Sequence, residues 1–338
     1  MYIIGIETSC DDTAVAIIED EYKVKASIVS SQVNIHAEYG GVVPELASRQ
    51  HLTNIIPVLT QCIEQAHIDI KDLSAVAVTK GPGLVVSLLV GLNFAKGFAY
   101  SLKIPLISVN HLISHINSVF IEHSDVPFPF LALVASGGHT NLFFSENNFE
   151  FACLARTRDD AIGEAYDKIA KLLGLGYPGG PIIDKLAQEG APGSVKFPAA
   201  KMSDNSLDFS FSGLKTAFYY YAKKENIIPT IHQNKELLCS LMASFQHAAI
   251  SVLEDRMKRA INAVKPRSLI ISGGVACNSL LRKKSYELGE QFGIKVFIPS
   301  PIYCTDNAVM TAVVGCQKFQ KNLFAPLSID ADAIYYEY

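Results

Sequence analysis

The chain has 338 residues, 49% of them hydrophobic and 18% charged, with a formal net charge of −4. That length fits two domains, each able to bury a core, and the low charge content excludes extensive disorder. Basic and acidic side chains number 7 and 11 over residues 1–120 and 22 each over the remainder, so any nucleic-acid contact rests on a local patch or a partner.

Tyr2 to Ile6 and Thr13 to Ile18 read as two strands around a polar turn, Glu7 to Asp12. Leu52, Ile55, Ile56, Leu59 and Ile63 recur at helical spacing within 45–66. Ala75 to Val78 is a buried strand ending in Lys80-Gly-Pro-Gly83, which opens a helix from Val85 to Leu102. A strand follows before His111. The pattern then restarts with strands at 130–134 and 140–144 around Ser136-Gly-Gly-His139. Helices are expected over 161–173 and 235–264, a strand at 268–271 before a second Gly-Gly turn and a helix, a strand at 296–298, and a last helix from Asn307 to Phe319. Gly190 to Asp208 is polar and turn-rich, an exposed loop.

A hairpin followed by alternating helices and strands thus occurs twice, which predicts duplicated α/β lobes with a ligand cleft between them. The expected division is 1–110 and 111–338, the last helix packing back on the first lobe. The longest apolar tract, Leu84 to Ala95, is broken by Ser87, Gly91 and Asn93, so no membrane span is expected. No basic region precedes the first apolar residues, and the seven cysteines are scattered without a C-x-x-C pair. A reduced, cytoplasmic protein is the expectation.

His111 and His115 lie four residues apart, one helical turn, so both imidazoles share a helix face and can grip one transition metal. Two unrelated surface histidines would show the same spacing. A zinc peptidase needs Glu directly after the first His, and here that residue is Leu112. Asp306, just before the last helix, is an N-cap or the carboxylate of a two-His, one-carboxylate set suited to iron or zinc.

Three turns follow strands and carry small residues: Glu7 to Thr13, Ala135 to Thr140, and Ser272-Gly-Gly-Val-Ala-Cys-Asn278. Such turns let backbone amides approach a phosphate, and together they point to nucleotide binding. Asp11 and Asp12 would repel a bare phosphate, so they imply an intervening cation or water, or bond their own backbone. Asp160, Glu164 and Lys168 lie along one helix face as a salt-bridged surface, and Asp167 on another face can accept from ribose hydroxyls. Four glycines in Gly174-Leu-Gly-Tyr-Pro-Gly-Gly-Pro181 exceed what a helix stop needs.

Over nearly its whole length the chain resembles the TsaD-type tRNA adenosine threonylcarbamoyltransferases, formerly called O-sialoglycoprotein endopeptidases. The resemblance is carried by Glu7 to Thr13, Tyr39 to Arg49, Lys80 to Gly83, Asn110 to His115, Ser136 to Thr140, Asp159 to Lys168, Tyr177 to Pro181, Phe209 to Thr216 and Ser272 to Asn278. It implies the two-lobed actin/hexokinase/heat-shock ATPase-like fold with a central cleft. It implies His111, His115 and Asp306 as ligands of one divalent metal, Fe2+ favoured over Zn2+. Val134, Ala135, Ser136, Gly137, Gly138, Asp167, Gly180, Asp184 and Asn278 are the implied contacts to the adenylate. Asp12 stands where relatives often carry Glu, and Ala199 where they often carry Arg.

The implied reaction moves threonylcarbamoyl from threonylcarbamoyl-AMP to the exocyclic amine of the adenosine beside the anticodon, in tRNAs reading codons that begin with A. Glu7, Asp11 and Asp12 are alternative bases or orienting groups. The implied partners are tRNA, a paralogous TsaB-like subunit lacking the metal motif, a small TsaE-like ATPase and an enzyme that makes the adenylate. The mostly apolar N-terminal half is the expected docking face for the paralogue. Arg256, Lys258, Arg259, Lys265, Arg267, Arg282, Lys283 and Lys284 form a basic cluster that is either an RNA contact or a solvated helix face. The rival readings are a metallopeptidase, an ATP-dependent small-molecule kinase and a non-enzymatic scaffold.

Overall fold

The computed structural model describes residues 1–147, 149–198 and 204–335. Ala199 lies outside the described residues. The chain divides into two compact units, one of Met1–Asp125 with the segment from Ile302, the other of Val126–Pro301.

In the first unit, β1 (Tyr2–Glu7), β2 (Asp12–Glu19) and β3 (Lys23–Ser31) form an antiparallel meander. Helices α1 (Val33–Ala37) and α2 (Pro44–Ala66) precede β4 (Leu73–Gly81), and α3 (Val85–Leu102) precedes β5 (Leu106–Asn110). Strands β4 and β5 join in parallel, giving the order β3-β2-β1-β4-β5. A short helix, α4 (His111–Asn117), follows β5 directly. Alternation sorts the strand side chains onto two faces. Ile4, Ile6, Val15, Ile17, Val76 and Val78 bury with Ile55, Leu59, Leu92 and Ala95 of α2 and α3.

In the second unit, β6 (Phe130–Ala135), β7 (Thr140–Asn147) and β8 (Glu150–Arg156) repeat the meander. Helices α5 (Ile162–Leu172), α6 (Gly179–Gln188), α7 (Ser212–Lys224) and α8 (Lys235–Val264) lead to β9 (Ser268–Ser272). Then α9 (Ser279–Phe292) leads to β10 (Lys295–Phe297). The sheet runs β10-β9-β6-β7-β8, the first unit's order element for element. Phe245 of α8 centres an aromatic group, 5.4 Å from Tyr166 and 5.8 Å from Phe218 by ring centroids.

The chain returns to the first unit through α10 (Pro301–Cys304) and α11 (Ala308–Gln320). Helix α11 lies on the sheet face opposite α2 and α3. A Cβ on Gly5 would sit 2.3 Å from the Ala308 carbonyl oxygen, and one on Gly315 would sit 2.4 Å from the Ala77 Cβ. Only glycine permits that approach.

The division therefore falls after Asp125 rather than after residue 110. The buried residues of α4 and the chain's returning end pack in the first unit, not with 126–301. Strands β3 and β8 escape an apolar-run reading because both are edges: β3 carries Lys23 and Lys25, and β8 exposes Glu150 and Arg156. Helix α6 begins on Gly179-Gly-Pro181, residues that break a helix interior but are tolerated in a first turn.

Two helices, α3 and α8, are long and apolar enough to cross a membrane by length and composition alone. The α8 window is 72% buried inside the protein, as a core helix is. Helix α3 buries Leu88, Leu92, Ala95 and Ala99 and exposes Tyr100.

Candidate metal centre and nucleotide turns

Helix α4 starts at the metal-type pair because Asn110 caps it. The Asn110 Oδ1 accepts from the amides of Leu112 and Ile113 at 2.9 and 3.2 Å, satisfying donors that a helix start leaves open. His111 and His115 then fall one turn apart, their rings edge to face with centroids 4.7 Å apart. At the far end of the chain Asn307, not Asp306, caps α11, accepting from the Met310 amide. Asp306 instead points its carboxylate at the pair, with Oδ1 3.1 Å from His115 Nε2 and 3.7 Å from His111 Nε2.

One donor atom from each of the three residues lies within 4.8 Å of the others, with both histidines buried. Two imidazole nitrogens and one carboxylate oxygen at that spacing fit around a divalent ion with bonds of about 2.0–2.2 Å, leaving open positions. Two carboxylates also face His111. Burial lowers the His111 pKa, but the carboxylates of Glu7 and Asp306 outweigh it and push the imidazole up to about 9. These residues form a candidate site for a divalent metal.

Behind His111, Glu7 is fully buried. Its Oε1 accepts from the Ser9 amide at 2.6 Å, and its Oε2 accepts from Thr79 Oγ1 and faces His111 Nδ1 at 3.3 Å. Burial works to raise the Glu7 pKa, yet His111 and Ser9 hold the carboxyl below its ordinary value. With its oxygens so occupied, Glu7 is not positioned as a base for substrate.

Asp11 stands on the turn between β1 and β2, and Asp12 opens β2. His51 of α2 pins that turn: its Nε2–H donates to the Cys10 carbonyl at 3.0 Å and its Nδ1 accepts from Thr13 Oγ1 at 2.8 Å. Burial, then the Asp306 charge, raises the Asp11 pKa. Burial, with the charges of Asp306 and Asp11, pushes the Asp12 carboxyl up to about 7. The Asp12 Oδ1 is buried without a hydrogen-bond partner among the described residues. Burial and Asp11 push the Cys10 thiol well up, so it is no thiolate nucleophile.

The expected nucleotide residues all lie in the second unit. Val134 and Ala135 end β6, and the turn Ser136–Gly138 closes with the Ser136 amide donating to the His139 carbonyl at 2.8 Å. A Cβ on Gly137 or Gly138 would meet nothing within 4 Å, so this backbone lies open. Gly273 leaves β9 with φ 86°, and a Cβ there would sit 2.4 Å from the Ala135 carbonyl oxygen. The two Gly-Gly turns are therefore in contact. Asp167 of α5 accepts from the Gly179 amide at 2.7 Å and so holds the start of α6, which carries Gly180 and Asp184.

Asp184 and Asn278 are joined by Gln246, a residue that spacing and motif did not single out. Gln246 Nε2 donates to Asp184 at 2.9 Å, and Asn278 Nδ2 donates to Gln246 Oε1 at 2.9 Å. Its sequence signal is an amide directly after Leu241-Met-Ala-Ser-Phe245 of α8, and the fold buries it. The Asn278 Oδ1 caps α9, which leaves its amide group oriented.

Asp160 binds Lys168 and Lys215 at 2.7 and 2.8 Å, a structural ion cluster as its spacing predicted. The basic cluster is largely spent inside the fold. Arg256 and Arg259 donate to backbone carbonyls of Asp208 and Ser206, Arg282 to those of Ala276 and Pro299, and Lys258 and Lys284 pair with Glu254.

The family model described as "TsaD: tRNA N6-adenosine threonylcarbamoyltransferase" matches residues 23–313. A tRNA N6-adenosine threonylcarbamoyltransferase of Trichlorobacter lovleyi is 48% identical, covering 99% of this chain and 96% of its own. Another from Thermodesulfovibrio yellowstonii is 47% identical over 98% of this chain and 99% of its own. Among solved structures, a ROK hexokinase from Thermus thermophilus is similar at TM-score 0.52 and 10% identity, covering 95% of this chain and all of its own. Full-length HypF is similar at TM-score 0.62 and 13% identity over 96% of this chain and 47% of its own. At these identities the structural likeness establishes the fold alone, the actin/hexokinase-like fold with duplicated α/β lobes. The sequence likeness establishes more: this chain belongs to the TsaD family.

Proposed function

We propose that this protein transfers the threonylcarbamoyl group of threonylcarbamoyl-AMP to the exocyclic amine of the adenosine adjacent to the anticodon, in tRNAs reading codons that begin with A. The observation that carries the reading is the intact His111, His115 and Asp306 set in a chain that matches the Trichlorobacter lovleyi transferase over 99% of its length. A metallopeptidase would need a glutamate where Leu112 stands, buried to 1% exposure.

The bond from the amine nitrogen to the carbamoyl carbon forms as the bond from that carbon to the phosphate oxygen breaks. AMP leaves and the amine loses a proton. The open backbone of Gly137 and Gly138 binds the phosphate, with Val134, Ala135 and Ser136 supporting the turn. Asp167, Gly180, Asp184 and Asn278 hold the nucleoside part, the last two oriented through Gln246. When bound, the divalent ion, iron in preference to zinc, supplies Lewis-acid stabilisation of charge developing on the carbonyl oxygen. Asp12, pushed up to about 7 and so matched to neutral pH, takes the proton, with Asp11 beside it as an orienting group. Glu7 is not one of them.

The partners proposed are tRNA, a TsaB-like paralogue, a small TsaE-like ATPase and an enzyme supplying the adenylate, all in the cytoplasm. Nucleoside mass spectrometry of tRNA from cells depleted of the protein tests the reading. Threonylcarbamoyl-adenosine is expected to vanish, and to return with the wild-type gene but not with His111→Ala. An unchanged level after verified depletion overturns it.

A further inference from the structure

We propose that Glu7 is a positioning residue of the metal centre: its buried carboxylate sets the tautomer and ring orientation of His111. The inference rests on the metal reading above and adds a residue that no ligand set contains. An ionised carboxylate only accepts, so the imidazole nitrogen facing it carries the hydrogen. That nitrogen is His111 Nδ1, 3.3 Å from Glu7 Oε2 and 3.2 Å from Ser9 Oγ. In the neutral ring that a metal requires, the opposite nitrogen, Nε2, keeps its lone pair on the Asp306 side. Metal-ligating histidines are commonly backed in this way, which fixes the ring and raises its basicity.

The support continues behind the carboxylate. Thr79 Oγ1 donates to Glu7 Oε2 and lies 3.2 Å from Thr311 Oγ1 of α11. The Ser9 amide holds the other oxygen. His111 on α4, Glu7 on β1, Thr79 on β4 and Thr311 on α11 thus form one buried polar line, ending on the helix that Asp306 precedes. His115 offers the internal contrast: its Nδ1 is buried and has no hydrogen-bond partner among the described residues. One ligand is oriented by a charge and the other by packing.

The test is metal affinity rather than turnover. The full chain is stripped with a chelator and titrated with Zn2+ against a chromophoric chelator. Glu7→Gln keeps the shape and removes the charge. It is expected to weaken Zn2+ binding by roughly 10–100-fold, while the melting temperature of the stripped protein stays near wild type. Thr79→Val, which leaves Glu7 in place but unsupported, is expected to weaken binding in the same direction by less. It carries the test if Glu7→Gln does not fold. Affinity within about twofold of wild type in the folded variant, with or without a lower melting temperature, overturns the proposal and leaves Glu7 a structural residue. Wild-type protein that takes up no Zn2+ removes the metal reading itself, and this inference with it.

Discussion

The two units have the same sheet, β3-β2-β1-β4-β5 in one and β8-β7-β6-β9-β10 in the other, yet their first hairpin turns do opposite things. The turn after β1 carries Asp11 and leads into Asp12, with Glu7 at the strand's end facing His111, and gathers negative charge near Asp306. The turn after β6 is Ser136-Gly-Gly-His139, open backbone with no carboxylate of its own. The topology decides where a site can stand, at strand ends. The turn residues decide whether it presents carboxylates or open backbone amides.

The sharpest way to break that contrast is to separate the glycines that shape the second unit's turns from those that leave them open. Gly273→Ala places a Cβ against the Ala135 carbonyl at positive φ, and is expected to cost at least about 1–3 kcal/mol. Gly137→Ala meets no neighbour, so stability should stay within about 0.5 kcal/mol of wild type while donor binding weakens. Chemical denaturation read beside donor titration distinguishes the two. Equal destabilisation would mean the turn at Ser136 is structural in the same sense as the one at Gly273.

A smaller effect is expected at the amide bridge. Gln246→Leu leaves Asp184 and Asn278 each short of one partner, which should cost about 1–3 kcal/mol and raise KM for the adenylate more than it lowers kcat. A fall in kcat alone would place Gln246 outside the donor site.

The smallest change expected lies in the first unit's turn. Asp12 has its pKa raised in the folded state from 3.8 to about 7. The folded state therefore holds the proton more tightly. The stability this contributes is full below about pH 4 and is lost as pH rises through about 7. In metal-free protein, Asp12→Asn should raise the melting temperature at pH 8 and do so less at pH 5. A gain that does not change with pH would mean burial at Asp12 is not charge-coupled.

Much of the site was legible before any coordinates. The i,i+4 spacing at His111 and His115 is a local property of a helix, and the strand-turn pattern around Ser136-Gly-Gly-His139 is local as well. So are the spans of α3 and α8, whose observed bounds coincide with the periodic stretches. The edge strands β3 and β8 were hidden because an edge is marked by charge, not by an apolar run.

What the sequence determined by itself is the set of chemical groups and their local geometry: the paired imidazoles, the glycine turns, the doubled α/β pattern and the family. Tertiary structure decided which distant groups meet. Asp306 reaches His115 because Gly5 and Gly315 let α11 press onto β1 and β4. Glu7 was one of three equivalent carboxylates in the sequence; the fold buries it against His111, Thr79 and Ser9, while Asp11 and Asp12 keep partial exposure. The physical reason is range. Propensity and periodicity act over one or two turns of chain, whereas a carboxylate's role depends on burial and on charges that arrive from elsewhere in the fold.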